Sequence, residues 1–222
     1  AYQYLRQRGL SDETIRKFGL GFSSKRPGEL YRFLKQRGYT DAELRESGLV
    51  TIEERGARDK FWNRVMFPIM DSNSRVIAFG GRVMGEGEPK YLNSPETKLF
   101  DKSRNLYGLN YARRTRADHV ILCEGYMDVI SLHQAGFANA VASLGPALTE
   151  QQVLHLKRTL STAAVAVLSY DSDNAGIKAA RRAIPLLRGA GFTPKVLSMQ
   201  PHKDPDEFIK ALGREAYAER AE

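Results

Sequence analysis

The 222-residue sequence predicts a parallel α/β domain in its second half, preceded by a smaller basic α+β part. Three observations predict this. From residue 119 onward, short apolar runs alternate with amphipathic segments of about ten residues or more. Ahead of them, helical patterns give way to a hairpin pattern and a long polar stretch. The positive charge is one-sided: residues 1–118 hold 23 Lys and Arg against 15 Asp and Glu, whereas residues 119–222 hold 11 against 11.

In the first part, AYQYLRQRGLSDETIRKFGLGF reads as two short helices, with Ser11 and Asp12 giving the N-cap signal of the second. ELYRFLKQRGY and TDAELRESGLV read as two more, the latter opened by Thr40 or Asp41. RVMFPIMDSNSRVIAFGGRVM predicts a hairpin turning at Asp71-Ser72-Asn73. The Gly- and Pro-punctuated GEGEPKYLNSPETKLFDKSRNLYG then reads as a long loop, and loops of that length are usually functional or disordered.

In the second part, HVILCEG, AVASLG, AVAVLSYD and PKVLSM are the predicted strands. Between them lie MDVISLHQAG, TEQQVLHLKRTL with Thr149 as its cap, and AGIKAARRAIPLLRGAG. DPDEFIKALG closes the pattern, opened by Pro205 or Asp206. Near-continuous apolar strands alternating with helices predict a parallel sheet covered on both faces. The expected boundaries are 1–118 for the basic part, 119–213 for the α/β domain, and 214–222 as a tail or the start of a further helix.

Composition narrows the function classes. No apolar stretch approaches the ~20 residues of a membrane helix, and the N-terminus lacks the apolar region of a signal peptide. Cys123 is the single cysteine, so no internal disulfide and no zinc-ribbon spacing is possible, and an intracellular, reducing compartment is expected. A basic part joined to a neutral one suggests a polyanionic partner, nucleic acid first, although solvated Lys and Arg on helix faces give the same count.

The chemistry collects at the strand ends. Glu124, Asp128, Asp171, Asp173, Asp204 and Asp206 all fall just past predicted strands. In an open parallel sheet those ends share the edge where ligands bind. Carboxylates crowded there repel one another unless a cation sits among them, and oxygen donors without His or Cys favour Mg²⁺ or Mn²⁺. Single residues have simpler readings: Asp206 as a helix N-cap, and Asp128 as a favourable charge at a helix N-terminus. The coincidence of three clusters at one edge is the specific signal.

EGYMD at 124–128, SLG at 143–145, YDSDNAG at 170–176 and DPDE at 204–207 together resemble the Toprim domain of bacterial primases, topoisomerases and some nucleases. RVMFPI at 64–69, FGGRV at 79–83, KYLNSPET at 90–97 and LYGL at 106–109 resemble the basic subdomain of the bacterial DnaG-type primase. Ser172 stands where many relatives have Gly, and Pro146 where many have Thr. The resemblance implies DNA-dependent RNA primer synthesis: metal-dependent nucleotidyl transfer from NTPs to a ribonucleotide 3′-hydroxyl on a single-stranded DNA template.

Residue by residue, the resemblance implies that Glu124, Asp171 and Asp173 are catalytic, with Asp128, Asp204 and Asp206 completing a patch for two or more Mg²⁺ or Mn²⁺ ions. It implies that Arg64, Arg82, Lys90, Tyr91, Asn93 and Lys102 handle nucleotide phosphates or the template backbone. It further implies an RNA primer product, a cytoplasmic place at the replication fork, and a replicative helicase met through a C-terminal module absent from this chain. A monomer without membrane contact is expected. A Toprim nuclease, a topoisomerase, a phosphatase with a DxD nucleophile and a non-enzymatic nucleic-acid-binding module are the competing classes. The basic-subdomain motifs, the chain length, Glu124 and the complete set of carboxylates argue against them in turn.

Overall fold

The structure, a computed structural model, describes residues 1–221. The chain divides into two compact units. One gathers Ala1–Arg8, Ile15–Ile69 and Val76–Asp101; the other gathers Gly9–Thr14, Met70–Arg75 and the chain from Lys102 on.

All four helices expected in the first part form: α1 (Tyr2–Gln7), α2 (Asp12–Lys17), α3 (Glu29–Gln36) and α4 (Asp41–Glu46). Ser11 caps α2, its hydroxyl accepting from Thr14 N–H at 3.1 Å. Of the two candidates for α4, Thr40 is the cap, and the Glu43 carboxylate accepts in turn from Thr40 N–H at 2.7 Å. The expected hairpin is β4 (Arg64–Met70) and β5 (Val76–Val83). Its turn is wider than the three residues predicted, because the Asp71 carboxylate accepts from both Asn73 and Arg75 N–H. From Val65 onward β4 alternates, with Val65, Phe67 and Ile69 fully buried.

Three strands of this unit escaped the sequence reading: β1 (Gly21–Ser23) and the ribbon β2 (Val50–Glu53) with β3 (Gly56–Asp59). They are three or four residues long, too short for an alternation pattern to register. The supposed long loop is partly folded. It contributes β6 (Tyr91–Asn93), which pairs antiparallel with β5, and Ser94 N–H donates to Phe79 O at 2.8 Å. Phe100 at its far end is fully buried. The resulting sheet runs β1-β4-β5-β6.

The second unit contains the expected strands β8 (His119–Cys123), β9 (Ala140–Ser143), β10 (Val165–Leu168) and β11 (Thr193–Val196). The helices are α6 (Tyr126–Gln134), α7 (Glu150–Thr159), α8 (Asn174–Gly189) and α9 (Pro205–Ala221), the last broken at Gly213 (φ 84°). The sequence reading missed β7 (Leu106–Tyr107) and the short α5 (Leu109–Ala112). The order is β11-β10-β8-β9-β7, parallel except at the β7 edge. Val120, Leu122, Ala166 and Leu168 pack with Val153 and Leu156 of α7 and Ala183 and Leu187 of α8. That places α7 and α8 on one face. The opposite face takes α6 and α9, anchored by Tyr217, whose hydroxyl meets Ser169 at 2.8 Å.

This topology positions the site. The connection leaving β8 goes to β9 on one side, while β10 returns on the other side of β8. Helices α6 and α8 therefore diverge to opposite faces, and a crevice opens at the carboxyl ends of β8 and β10, the usual ligand position of such sheets.

Candidate active site

Glu124 follows β8 directly, and Asp171 lies three residues beyond β10. Because the two strands are paired in register, Leu122 opposite Leu168, their ends emerge side by side. Ser169 N–H extends the pairing to Leu122 O at 2.9 Å, and Asp171 N–H then donates to Glu124 Oε1 at 3.0 Å. The backbone of one strand end thus holds the carboxylate of the other.

Both carboxyls titrate high. Burial raises Glu124 above the usual range, with repulsion from Asp173 adding to it and the Asp171 N–H opposing. Burial raises Asp171 to about 6, with Glu124 and Asp204 contributing; Lys203, whose Nζ lies 4.0 Å from Asp171 Oδ2, opposes them. Asp128 is almost wholly buried and is pushed well above the usual range by that burial, then by Asp204, Asp171 and Asp206. It also accepts from Gly125 N–H at 3.1 Å, closing the first turn of α6.

The other three carboxylates hold helices. Asp173 caps α8, accepting from Ala175 N–H at 2.8 Å and Gly176 N–H at 2.9 Å. Asp204 caps α9, accepting from Glu207 N–H at 2.8 Å; the helix opens at Pro205 as expected, and Asp206 is not its cap. Asp206 is 2% exposed, ion-paired to Lys210 at 2.6 Å and bonded by the Ser131 hydroxyl. The DSD pair of the sequence is therefore divided: Asp173 caps the helix while Asp171 faces Glu124. Among the described residues, no three His, Cys, Asp or Glu side chains gather closely enough to hold a metal ion as they stand.

Two residues outside the candidate set shape this edge. A Cβ on Gly176 would lie 2.1 Å from Asp171 O and 2.7 Å from Glu124 Oε1, so only glycine lets α8 start against the carboxylate pair. Ser172 donates to His202 O at 3.0 Å while its N–H donates to Lys203 O at 2.7 Å. These bonds tie the DSD turn to the segment carrying Lys203 and Asp204. The signals were visible as NAG directly after DSD and as a lone lysine before DPDE.

The basic residues behave differently from one another. Arg82 stands opposite Tyr91 and Gly80 opposite Asn93 in the β5–β6 pair, so Arg82, Tyr91 and Asn93 share one face of the ribbon. Lys90, next to Tyr91, is exposed. Arg64 is only 6% exposed, and its Nη1 donates to Gly81 O at 3.1 Å, Pro89 O at 2.9 Å and Lys90 O at 3.4 Å. Burial lowers its pKa. Gly81 makes the room, since a Cβ there would sit 3.0 Å from Arg64 Cδ and 2.8 Å from the Phe61 ring. Lys102 belongs to the other unit; its side chain is exposed and its carbonyl accepts from Gln152.

Residues 1–113 match the N-terminal domain of the DNA primase catalytic core, and residues 121–209 match a Toprim-like domain. The chain belongs to the DnaG-type DNA primase family. Within that family it is similar to the DNA primase of Clostridium acetobutylicum, 48% identical over 98% of this chain and 36% of that protein. It is 40% identical to the Escherichia coli K12 DNA primase over 100% of this chain and 39% of that protein. Among solved primase structures, the Aquifex aeolicus zinc-binding and RNA polymerase domains superpose with a TM-score of 0.91 at 38% identity, covering 100% of this chain and 55% of that one. A DnaG primase catalytic domain bound to single-stranded DNA superposes with a TM-score of 0.86 at 38% identity, covering 99% and 69%. The chain spans about a third of the length of the curated relatives it matches first.

Proposed function

We propose that this chain carries the RNA-synthesising part of a DNA primase, transferring a nucleotidyl group from an NTP to a ribonucleotide 3′-hydroxyl on single-stranded DNA. The observation that carries the reading is the pair Glu124 and Asp171, two half-buried carboxyls joined through a backbone hydrogen bond at the switch point of a parallel sheet. The likeness to a primase domain bound to single-stranded DNA supports the template class.

The donor set suits a hard divalent cation. Every candidate ligand is a carboxylate, and Asp171 is held at about 6 partly by its anionic neighbours Glu124 and Asp204, a repulsion that a cation would relieve. Glu124 and Asp171, with Asp173 and Asp204 alongside, would hold Mg²⁺ or Mn²⁺, two or more ions in the full reading. When bound, the metal supplies Lewis acidity at the phosphate and stabilises the attacking and leaving oxygens. Glu124 either ligates or takes the proton of the 3′-hydroxyl, and both roles need its charged oxygen. Arg82 and Lys90 offset triphosphate or template charge, Tyr91 and Asn93 line the same ribbon, and Lys102 adds a further cation. Arg64 serves by fixing the carbonyls of Pro89 and Lys90. Monomeric action at a cytoplasmic replication fork completes the proposal, with helicase recruitment assigned to parts of the longer relatives that this chain does not match.

The test is synthesis on single-stranded DNA with NTPs and Mg²⁺ or Mn²⁺, products being sized on a gel. NTP-dependent RNA that lengthens on the template and disappears in Asp171→Asn supports the proposal. DNA shortening without NTPs overturns it in favour of a nuclease.

A further inference from the structure

Arg82 stands at a place where its orientation matters and its own strand supplies little hold on it. Its Nη1 donates to Val83 O at 3.0 Å, while its Nε is buried with no hydrogen-bond partner among the described residues. No carboxylate of the described residues lies within ion-pair distance of it. What the guanidinium meets instead is an aromatic face: its carbon sits 4.5 Å from the ring centroid of Tyr4, in α1. The phenol is itself braced, because Arg8, one helical turn later, donates from Nη1 to the Tyr4 hydroxyl at 3.4 Å.

We infer that Tyr4 is a positioning residue for the basic β5–β6 ribbon: its ring sets the plane of the Arg82 guanidinium. An unrestrained arginine loses side-chain entropy each time it engages a phosphate, whereas one already stacked on a ring presents its planar N–H donors at little further cost. The ring face stabilises the cation without neutralising it, which a carboxylate partner would do. Arg82 therefore keeps its full charge for a phosphate while its direction is fixed. Tyr91 stands opposite Arg82 across the β5–β6 pair, on the same face of the ribbon. The inference rests on the assignment of Arg82 to nucleotide or template binding.

The experiment compares Tyr4→Leu, Tyr4→Phe, Arg82→Ala and the Tyr4→Leu/Arg82→Ala double variant. The probes are a fluorescent single-stranded oligodeoxynucleotide for binding and NTP titration of primer synthesis for KM. Tyr4→Leu is expected to weaken whichever of the two Arg82→Ala also weakens, by about two- to five-fold, the size of a partly exposed cation–π contact. Tyr4→Phe, which keeps the ring face, should stay within about two-fold of wild type. In the Arg82→Ala background, Tyr4→Leu should have no further effect. A Tyr4→Leu loss that persists without Arg82, or that tracks a fall in melting temperature in both backgrounds, overturns the inference and makes Tyr4 a packing residue. Wild-type behaviour of Tyr4→Leu beside an impaired Arg82→Ala also overturns it while sparing the assignment of Arg82. If Arg82→Ala itself binds and synthesises normally, the assignment falls first.

Discussion

The carboxyl ends of β8 and β10 and the β5–β6 ribbon use opposite means to present charge. At the strand ends, Glu124 and Asp171 are half-buried and raised in pKa by desolvation and then by neighbouring carboxylates, and Glu124 accepts from the Asp171 N–H. On the ribbon, Lys90 is exposed and Arg82 rests on a ring, while Arg64 alone is buried, its donors directed at carbonyls. The acidic side is thus set by main-chain geometry and stores repulsion in the folded state. The ribbon presents its charge through side chains instead, exposed at Lys90 and stacked on a ring at Arg82. Substitutions on the two sides should fail in different ways.

The largest effect should come from removing one strand-end carboxylate. Glu124→Gln or Asp171→Asn is expected to reduce primer synthesis by at least about 100-fold, the lower range for loss of a general base or ligand. Folding should be undisturbed: without metal, the melting temperature of Asp171→Asn should equal or exceed that of the wild type, because a repelling charge is gone. A variant that elongates primers near the wild-type rate would show that the catalytic centre lies elsewhere.

Next comes the helix start that touches the pair. Alanine normally favours a helix over glycine by about 1 kcal/mol. At Gly176 the sign should reverse, since the new methyl would meet Asp171 O and Glu124 Oε1 at 2.1 and 2.7 Å. Gly176→Ala is expected to cost about 2 kcal/mol in urea unfolding, within the range of overpacking, and to lower synthesis with it. A stabilised Gly176→Ala would refute the close approach.

The ribbon sharpens the contrast. Arg64→Met leaves carbonyls of Gly81, Pro89 and Lys90 without their donor, so a loss of about 1–3 kcal/mol of stability should accompany weaker template binding. Lys90→Ala should leave the melting temperature unchanged, weaken DNA binding, and reduce the salt slope by about one if the residue meets a template phosphate. Equal melting temperatures for Arg64→Met and wild type would contradict a holding role for Arg64.

The smallest effect is on pH. Asp171 has a folded pKa of about 6 against an ordinary 3.8, so the folded state favours its protonated form. Its contribution to stability is fully present below about 4 and is lost as pH rises through about 6. In chelator, the protein should therefore be more stable at pH 5 than at pH 8 with respect to this group, and Asp171→Asn should flatten that difference. An identical pH profile in the variant would remove Asp171 as its source.

How much of this was readable in advance follows from the length and locality of each signal. The four parallel strands were legible because buried strands need continuous apolar runs, and the helices because amphipathic spacing and caps such as Thr149 are local patterns. Strands β1, β2, β3, β6 and β7 were not, because two- to four-residue strands take their identity from a partner distant in sequence. Spacing singled out the candidate positions, but their contacts divide them in ways that spacing cannot show. Asp173 and Asp204 turned to their own helix N-termini, and Asp206 went to an ion pair with Lys210 on α9. Sequence alone determined where acidic residues would gather, since carboxylates placed just past buried strands must reach the same edge of a parallel sheet. Only the tertiary structure decided which of them face each other, because that depends on β10 pairing with β8 and on a glycine small enough to let α8 begin there.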